Sequence, residues 1–227
     1  MSASLISLRI GRPRQHGIKG ASDPMDKPWT SAFYREENSE PVRVLRDSLE
    51  GDAVADPRVH GGPDKAVCCY ASEHYPQWQR ELSPAEPVAF GAFGENFTTR
   101  GLVESEVCIG DTFQVGTAIF QITQPRQPCW KLGRRWRLKQ MPALVANSGR
   151  TGWYFRVMQT GAIRQGDAIE LAARPHSEWT LSRANDVMEQ RDDDTASLRS
   201  LAACPALSIS WRDELEARLR KRQSNLS

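Results

Sequence analysis

The chain has 227 residues, enough for one large domain or for a medium domain with a small appendage. With 39% hydrophobic and 26% charged residues, its composition excludes a disordered chain and fits an ordinary globular one. A formal net charge of +2 is too small to make nucleic acid the main partner. No run approaches the roughly eighteen apolar residues that a membrane span requires.

The opening residues, Met1-Ser2-Ala3-Ser4-Leu5-Ile6, lack the basic start and long apolar core of a secretory signal and read as a first β-strand. Short strands are then expected at 42–45, 66–70, 113–115, 118–123, 154–157 and 168–172, with turns at Gly51-Asp52, Gly61-Gly62, Gly110-Asp111 and Gly166-Asp167 between them. Residues 107–115 and 162–171 echo one another, each a short lead, a Gly-Asp turn and an alternating strand. This pattern predicts mainly β architecture, a closed or partly closed antiparallel barrel. Few helices are expected within it. Residues 72–82 place Tyr75, Trp78 and Leu82 on one apolar face, and 142–147 form a short helix with Pro142 in its first turn.

The pattern changes after Pro175, where glycine disappears and helical spacing takes over. A first helix falls near 181–188. A second carries the stripe Leu198, Leu201 and Ala202, with Asp194-Thr195 as its cap. A third carries Trp211, Leu215 and Leu219, with Ser208 or Ser210 ahead of it and Arg218, Arg220, Lys221 and Arg222 at its C-terminal end. The expected division is a barrel domain over 1–176 and a three-helix module over 177–227. So small a helical unit buries little alone and should dock on the barrel.

The five cysteines are Cys68, Cys69, Cys108, Cys129 and Cys204. An odd count without a secretory start argues against a disulfide framework, and a reduced, cytoplasmic setting is expected. No Cys-x-x-Cys occurs, and His16, His60, His74 and His176 lack the spacing of a zinc site. Cys68 and Cys69 read as strand residues. Cys129 differs, because it lies in Gln124-Pro125-Arg126-Gln127-Pro128-Cys129-Trp130-Lys131. Two prolines stiffen that loop and keep it out of helix interiors. Arg126 and Lys131 make an electropositive setting, in which a thiol serves as nucleophile or soft metal ligand. The bland alternative is a cysteine that merely packs.

Three other segments carry chemistry-bearing residues. Asp56-Pro57-Arg58-Val59-His60-Gly61-Gly62-Pro63-Asp64-Lys65 is a glycine-rich turn flanked by charge, either a phosphate cradle or a decorated hairpin turn. Phe93-Gly94-Glu95-Asn96-Phe97 offers an amide and a backbone group to a heterocycle, or simply ends a strand. Lys27-Pro28-Trp29-Thr30-Ser31-Ala32-Phe33-Tyr34-Arg35 sets hydroxyls before a cation. The basic stretch 131–139, with Arg134, Arg135 and Arg137, is either a solvated surface or a surface that steers an acidic partner.

Together these segments resemble the MOSC family, the C-terminal domain of molybdenum cofactor sulfurases, and within it the bacterial YiiM-like proteins. The likeness also covers Ile109-Gly110-Asp111-Thr112-Phe113, Thr151-Gly152-Trp153-Tyr154 and the tail Pro205-Ala206-Leu207-Ser208-Ile209-Ser210-Trp211, and so nearly the whole chain. The resemblance implies a MOSC-type β-barrel followed by a three-helix module. It implies molybdenum cofactor (molybdopterin) as the prosthetic group, Cys129 as metal ligand and catalytic residue, and Ser31, Arg35, His60, Asn96 and Arg126 as cofactor contacts. Relatives often carry Lys where this chain has Arg35. The implied reaction is reduction of N-hydroxylated substrates, such as hydroxylamino-purine base analogues, as a detoxification. Electrons would come from a separate flavin or iron–sulfur protein, and pyridoxal phosphate is not expected. Two rivals are a non-catalytic carrier of sulfur or of the cofactor on Cys129, and a cysteine hydrolase pairing Cys129 with His60.

Overall fold

A computed structural model describes residues 2–224; Met1 and residues 225–227, where the expected barrel and module begin and end, lie outside the described residues. The first strand, β1 (Ser4–Ile10), shows how the sequence makes a curved sheet. Leu5 and Leu8 would face opposite sides of a regular strand. A register shift between Leu5 and Ser7, against β7 (Phe97–Arg100), inserts Ile6 as an extra residue. Both leucines are therefore fully buried in one core.

The other strands are β2 (Arg14–His16), β3 (Trp29–Ser31), β4 (Glu36–Glu37), β5 (Val42–Val44), β6 (Val67–Ala71), β8 (Thr112–Val115), β9 (Ala118–Pro125), β10 (Trp153–Gln159), β11 (Gly161–Ile163) and β12 (Ile169–Ala173). Eight of them form one sheet in the order β12-β8-β9-β10-β6-β7-β1-β4. All its pairings are antiparallel except β6 with β7, which are joined by a crossover carrying helix α2 (Tyr75–Leu82). Ser4 bridges Ala168, the Leu5 N–H donates to Asp167 O at 2.9 Å, and the Ile169 N–H donates to Ala3 O at 2.9 Å. These bonds stitch β1 to the start of β12 and curl the sheet back on itself, as the strand pattern predicts.

The core holds Phe97, Phe113, Phe120, Trp153 and Phe155 from the sheet. It continues without a break into Trp179, just ahead of the C-terminal helices, and into Leu181, Leu198, Leu201, Trp211 and Leu215 of α5 (Leu181–Met188), α6 (Thr195–Ala202) and α7 (Ile209–Ser224). Each large side chain buried this way contributes about 1.5–3 kcal/mol, so the three helices are held both by the barrel and by one another. Asp194 caps α6 by accepting the Ser197 N–H at 3.0 Å. Ser208, not Ser210, precedes α7 and accepts the Trp211 N–H at 3.3 Å.

A smaller core of Trp29, Phe33, Tyr70, Tyr75, Trp78, Phe93, Leu132, Met141 and Val145 gathers α2, α3 (Trp130–Trp136) and α4 (Met141–Ser148) on one flank. Helix α3 occupies the first part of the basic stretch 131–139, in which Arg137 and Lys139 are exposed. Arg134 donates to the carbonyls of Met25 at 3.0 Å and Lys27 at 2.8 Å, and Arg137 pairs with Asp26. Two of the cations in that stretch also hold the 23–27 loop. The glycine turn also differs from a hairpin: α1 (Pro57–His60) precedes Gly61-Gly62, and a 3-10 turn, Pro63–Lys65, follows.

Candidate functional site

One cavity of about 300 Å³ opens between the glycine turn, the 31–35 segment, the 94–96 loop and the Cys129 loop. It brings together all six residues singled out in the sequence: Ser31, Arg35, His60, Asn96, Arg126 and Cys129. Their local supports follow from sequence. Pro125 ends β9, Pro128 precedes Cys129, and Cys129 sits at the N-cap of α3 with extended backbone, φ −110° and ψ 165°. The cysteine is half-buried at the cavity edge. Gly62 has φ +88°, a backbone conformation that favours glycine, and it faces open space on the cavity side. Gly94, at φ +75°, lies so close to the Phe33 ring that a Cβ there would come within 3.0 Å of it.

The six side chains differ in what they have left to offer. Arg35 donates to Asp52 through Nε at 2.7 Å and Nη2 at 2.9 Å, and to Gly94 O through Nη1 at 2.7 Å. Its charge is answered and its fork is occupied. Asn96 Oδ1 accepts the Cys68 N–H at 3.1 Å while Nδ2 donates to Arg9 O at 3.1 Å, so this amide ties β6 to β1. It retains one N–H and one lone pair. Ser31 Oγ accepts the Phe33 N–H at 3.1 Å and keeps its own proton to donate.

Arg126 is the opposite case. Its residue is 7% exposed, and among the described residues its guanidinium makes no hydrogen bond, ion pair or ring contact. A buried cation without a partner is costly unless a ligand answers it. Lys131 also lines the cavity, and Lys65 donates to Val59 O at 2.9 Å. Burial, with Lys131, Arg126 and Lys65 close by, pushes His60 down to about 4, so the ring is neutral at neutral pH. The cavity thus gathers cationic side chains, Arg126 unpaired among the described residues, with a soft sulfur at its edge.

Sequence reading passed over several lining residues, Asp52, Cys68 and Tyr154 among them. Asp52 was visible in the Gly51-Asp52 turn and in the motif around it, with no role assigned to it. Cys68 and Tyr154 are cross-strand partners on β6 and β10, so their side chains share the cavity face, while their neighbours Cys69 and Trp153 share the core face. The motif Thr151-Gly152-Trp153-Tyr154 held the signal, because one known core residue fixes the parity of both strands. Burial raises the Cys68 thiol, with Arg126 and Arg35 opposing the shift, and burial likewise raises Tyr154. Both are therefore protonated, neutral donors.

A curled β-sheet whose loops enclose a cysteine among buried cations, with three helices packed on the barrel, is the arrangement of a MOSC protein. A profile of the MOSC domain matches residues 56–170, and one of the YiiM-like, 3-alpha helix domain matches residues 179–222. The chain belongs to the MOSC domain family. It is 40% identical over 212 residues to YflK of Bacillus subtilis (strain 168), covering 92% of this chain and 91% of that protein. The crystal structure of YiiM from Geobacillus stearothermophilus superposes with a TM-score of 0.78 at 33% identity, covering 96% of this chain and 99% of that one. A protein of Gibberella moniliformis (strain M3125 / FGSC 7600) named a reductase is 34% identical over 209 residues, which are 91% of this chain but 35% of that protein.

Proposed function

We propose that the protein binds molybdenum cofactor and reduces N-hydroxylated compounds of the hydroxylamino-purine type, using electrons from a separate flavin or iron–sulfur protein. The observation that carries this reading is the unanswered Arg126 guanidinium beside Cys129 in one cavity. The donor set fits the group. Among the described residues no cluster of three or more His, Cys, Asp or Glu side chains could hold a metal ion. A bare ion at Cys129 would be under-coordinated, whereas a metal already carrying dithiolene sulfurs needs one more soft donor. The phosphate of a pterin suits Arg126 and Lys131, since arginine pairs with phosphate through two parallel N–H bonds.

When bound, the cofactor supplies oxygen-atom acceptance and two-electron transfer. The chain's own residues bind and orient. Cys129 Sγ would ligate the metal, and Arg126 and Lys131 would neutralise the anionic tail. Ser31 and the spare Asn96 N–H can donate to the heterocycle, while Arg35, held by Asp52, keeps the 31–35 and 94–96 walls in register. A filled site offsets the cations that depress His60, so the imidazole gains proton affinity when ligand is present. Overall R–NHOH takes up two electrons and two protons, the N–O bond breaks, and R–NH2 and water leave. The Gibberella relative supports a division of labour, since its match to this chain accounts for 35% of a protein named a reductase.

Protein purified from a molybdate-supplied host is expected to carry about one molybdenum and one pterin per chain, and to reduce a hydroxylamino-purine with an artificial electron donor. Cys129→Ala should lose metal and turnover while its melting temperature stays within a few degrees. Absence of molybdenum in the unaltered protein would sink the reading. Loaded protein that never turns over would instead support the carrier.

A further inference from the structure

The start of the last C-terminal helix bonds to residues that adjoin the cavity lining on two sides. The turn Pro63–Lys65 leaves the cavity-lining glycines Gly61 and Gly62 and returns to it at Lys65. Between them Asp64 turns its carboxylate toward the module: Oδ2 accepts the Ile209 N–H of α7 at 2.9 Å, and Oδ1 pairs with Arg156 of β10 at 2.8 Å. Its carbonyl accepts from Thr123 Oγ1 at 2.7 Å, and the Thr123 carbonyl accepts the Ser208 N–H at 3.1 Å. One residue along β9, Gln124 Oε1 accepts from Ser210 Oγ at 3.2 Å. Gln124 leads directly through Pro125 to Arg126 and on to Cys129.

The first turn of α7 therefore bonds to the glycine turn on one side and to the strand that presents Arg126 and Cys129 on the other. We propose that the three-helix module is a clamp on the cavity, with Asp64 the positioning residue through which α7 fixes the glycine turn against the cysteine loop. The clamp is a property of the ligand-free chain. Its effect on cofactor retention rests on the function proposed above.

Two variants break the same bond from opposite sides. Asp64→Ala removes the acceptor. Ile209→Pro removes the donor N–H at the first position of α7, where proline is tolerated, and the side chain lost there is 66% exposed. The measurement is amide hydrogen exchange in the ligand-free protein, read at His60, Gly61 and Lys65, whose N–H groups are bonded within the 56–65 segment. Each variant should accelerate exchange there at least tenfold, with Phe155 and Ile122 of the sheet unchanged. The double variant should do no more than Asp64→Ala alone, because the Ile209 bond that the proline deletes is already lost with the Asp64 carboxylate, together with its pair to Arg156. Asp64→Asn keeps an acceptor for Ile209 and should restore most of the protection. In cofactor-loaded protein, pterin release followed by fluorescence should quicken about tenfold in Asp64→Ala and Ile209→Pro alike.

Unchanged exchange at the three turn amides, or acceleration spread evenly over sheet and turn, would overturn the clamp. Strictly additive effects in the double variant would do the same. Absence of pterin from the unaltered protein would count against the proposed function, and the exchange measurement would still decide the clamp.

Discussion

Two buried arginines face the same cavity from opposite walls. Arg35 gives every arm of its fork to Asp52 and Gly94, with side-chain exposures of 8% for the arginine and 4% for the aspartate. Arg126 is as deeply placed, and among the described residues its guanidinium has no protein partner. The pair teaches that charge near a site is not the same as charge available to a ligand. Arg35 builds the wall, and Arg126 is what the wall encloses.

Arg35→Ala should give the largest effect, because it strands the Asp52 carboxylate in the interior. Losing one partner of a buried pair costs about 3–5 kcal/mol, readable by denaturant unfolding. Arg35→Lys should recover only part of this, since an ammonium cannot reproduce the three-way fork. A loss below about 1 kcal/mol for Arg35→Ala would erase the distinction between the two arginines.

Arg126→Gln should leave the stability of the ligand-free protein within about 1 kcal/mol, because no bond is broken and an unanswered charge is removed. Anion binding should suffer instead. Hydrogen bonds from a charged donor are worth about 1.5–3 kcal/mol, so affinity for inorganic phosphate should fall roughly ten- to a hundredfold, measured by calorimetric titration.

The smallest effect is on proton binding. In the folded chain His60 sits near 4, against an ordinary value of 6.5. Between these values the unfolded chain binds more protons than the folded one, so this group favours unfolding progressively as pH falls from about 6.5 to about 4. Above that window it contributes nothing to the pH dependence. Arg126 is among the causes of the depression and Arg35 is not. An NMR titration should therefore show the His60 midpoint rising in Arg126→Gln and staying put in Arg35→Lys.

Much of the barrel was legible because its strands alternate between Gly-Asp turns, and the helices after Pro175 because their stripes and caps are local. Helix α3 was hidden by Gly133, a poor helix former. Leu138 and Lys139 pass so near it that a Cβ would sit 3.3–3.4 Å from their carbonyl oxygens. The bonds from the basic stretch to the 23–27 loop were not legible, because the groups that answer Arg134 and Arg137 lie more than 100 residues earlier, with separations of 107–111. The cavity residues were found through motif text. Which of them are occupied and which are free was not, because Asp52 meets Arg35 only through the folded loops. Local sequence carries identity, and tertiary pairing decides availability.

The stitch between the first strand and residues 166–169 also dictates an order of assembly. While the chain is being synthesised, Leu5 and Leu8 must wait for their neighbours at 97–100, and the seam cannot form until residue 169 has left the ribosome. Until then β1 offers an unpaired, apolar edge, the kind of surface on which nascent chains stick to one another. Isolated early fragments of this protein should need a chaperone, and the shared core is complete only once the C-terminal helices have followed.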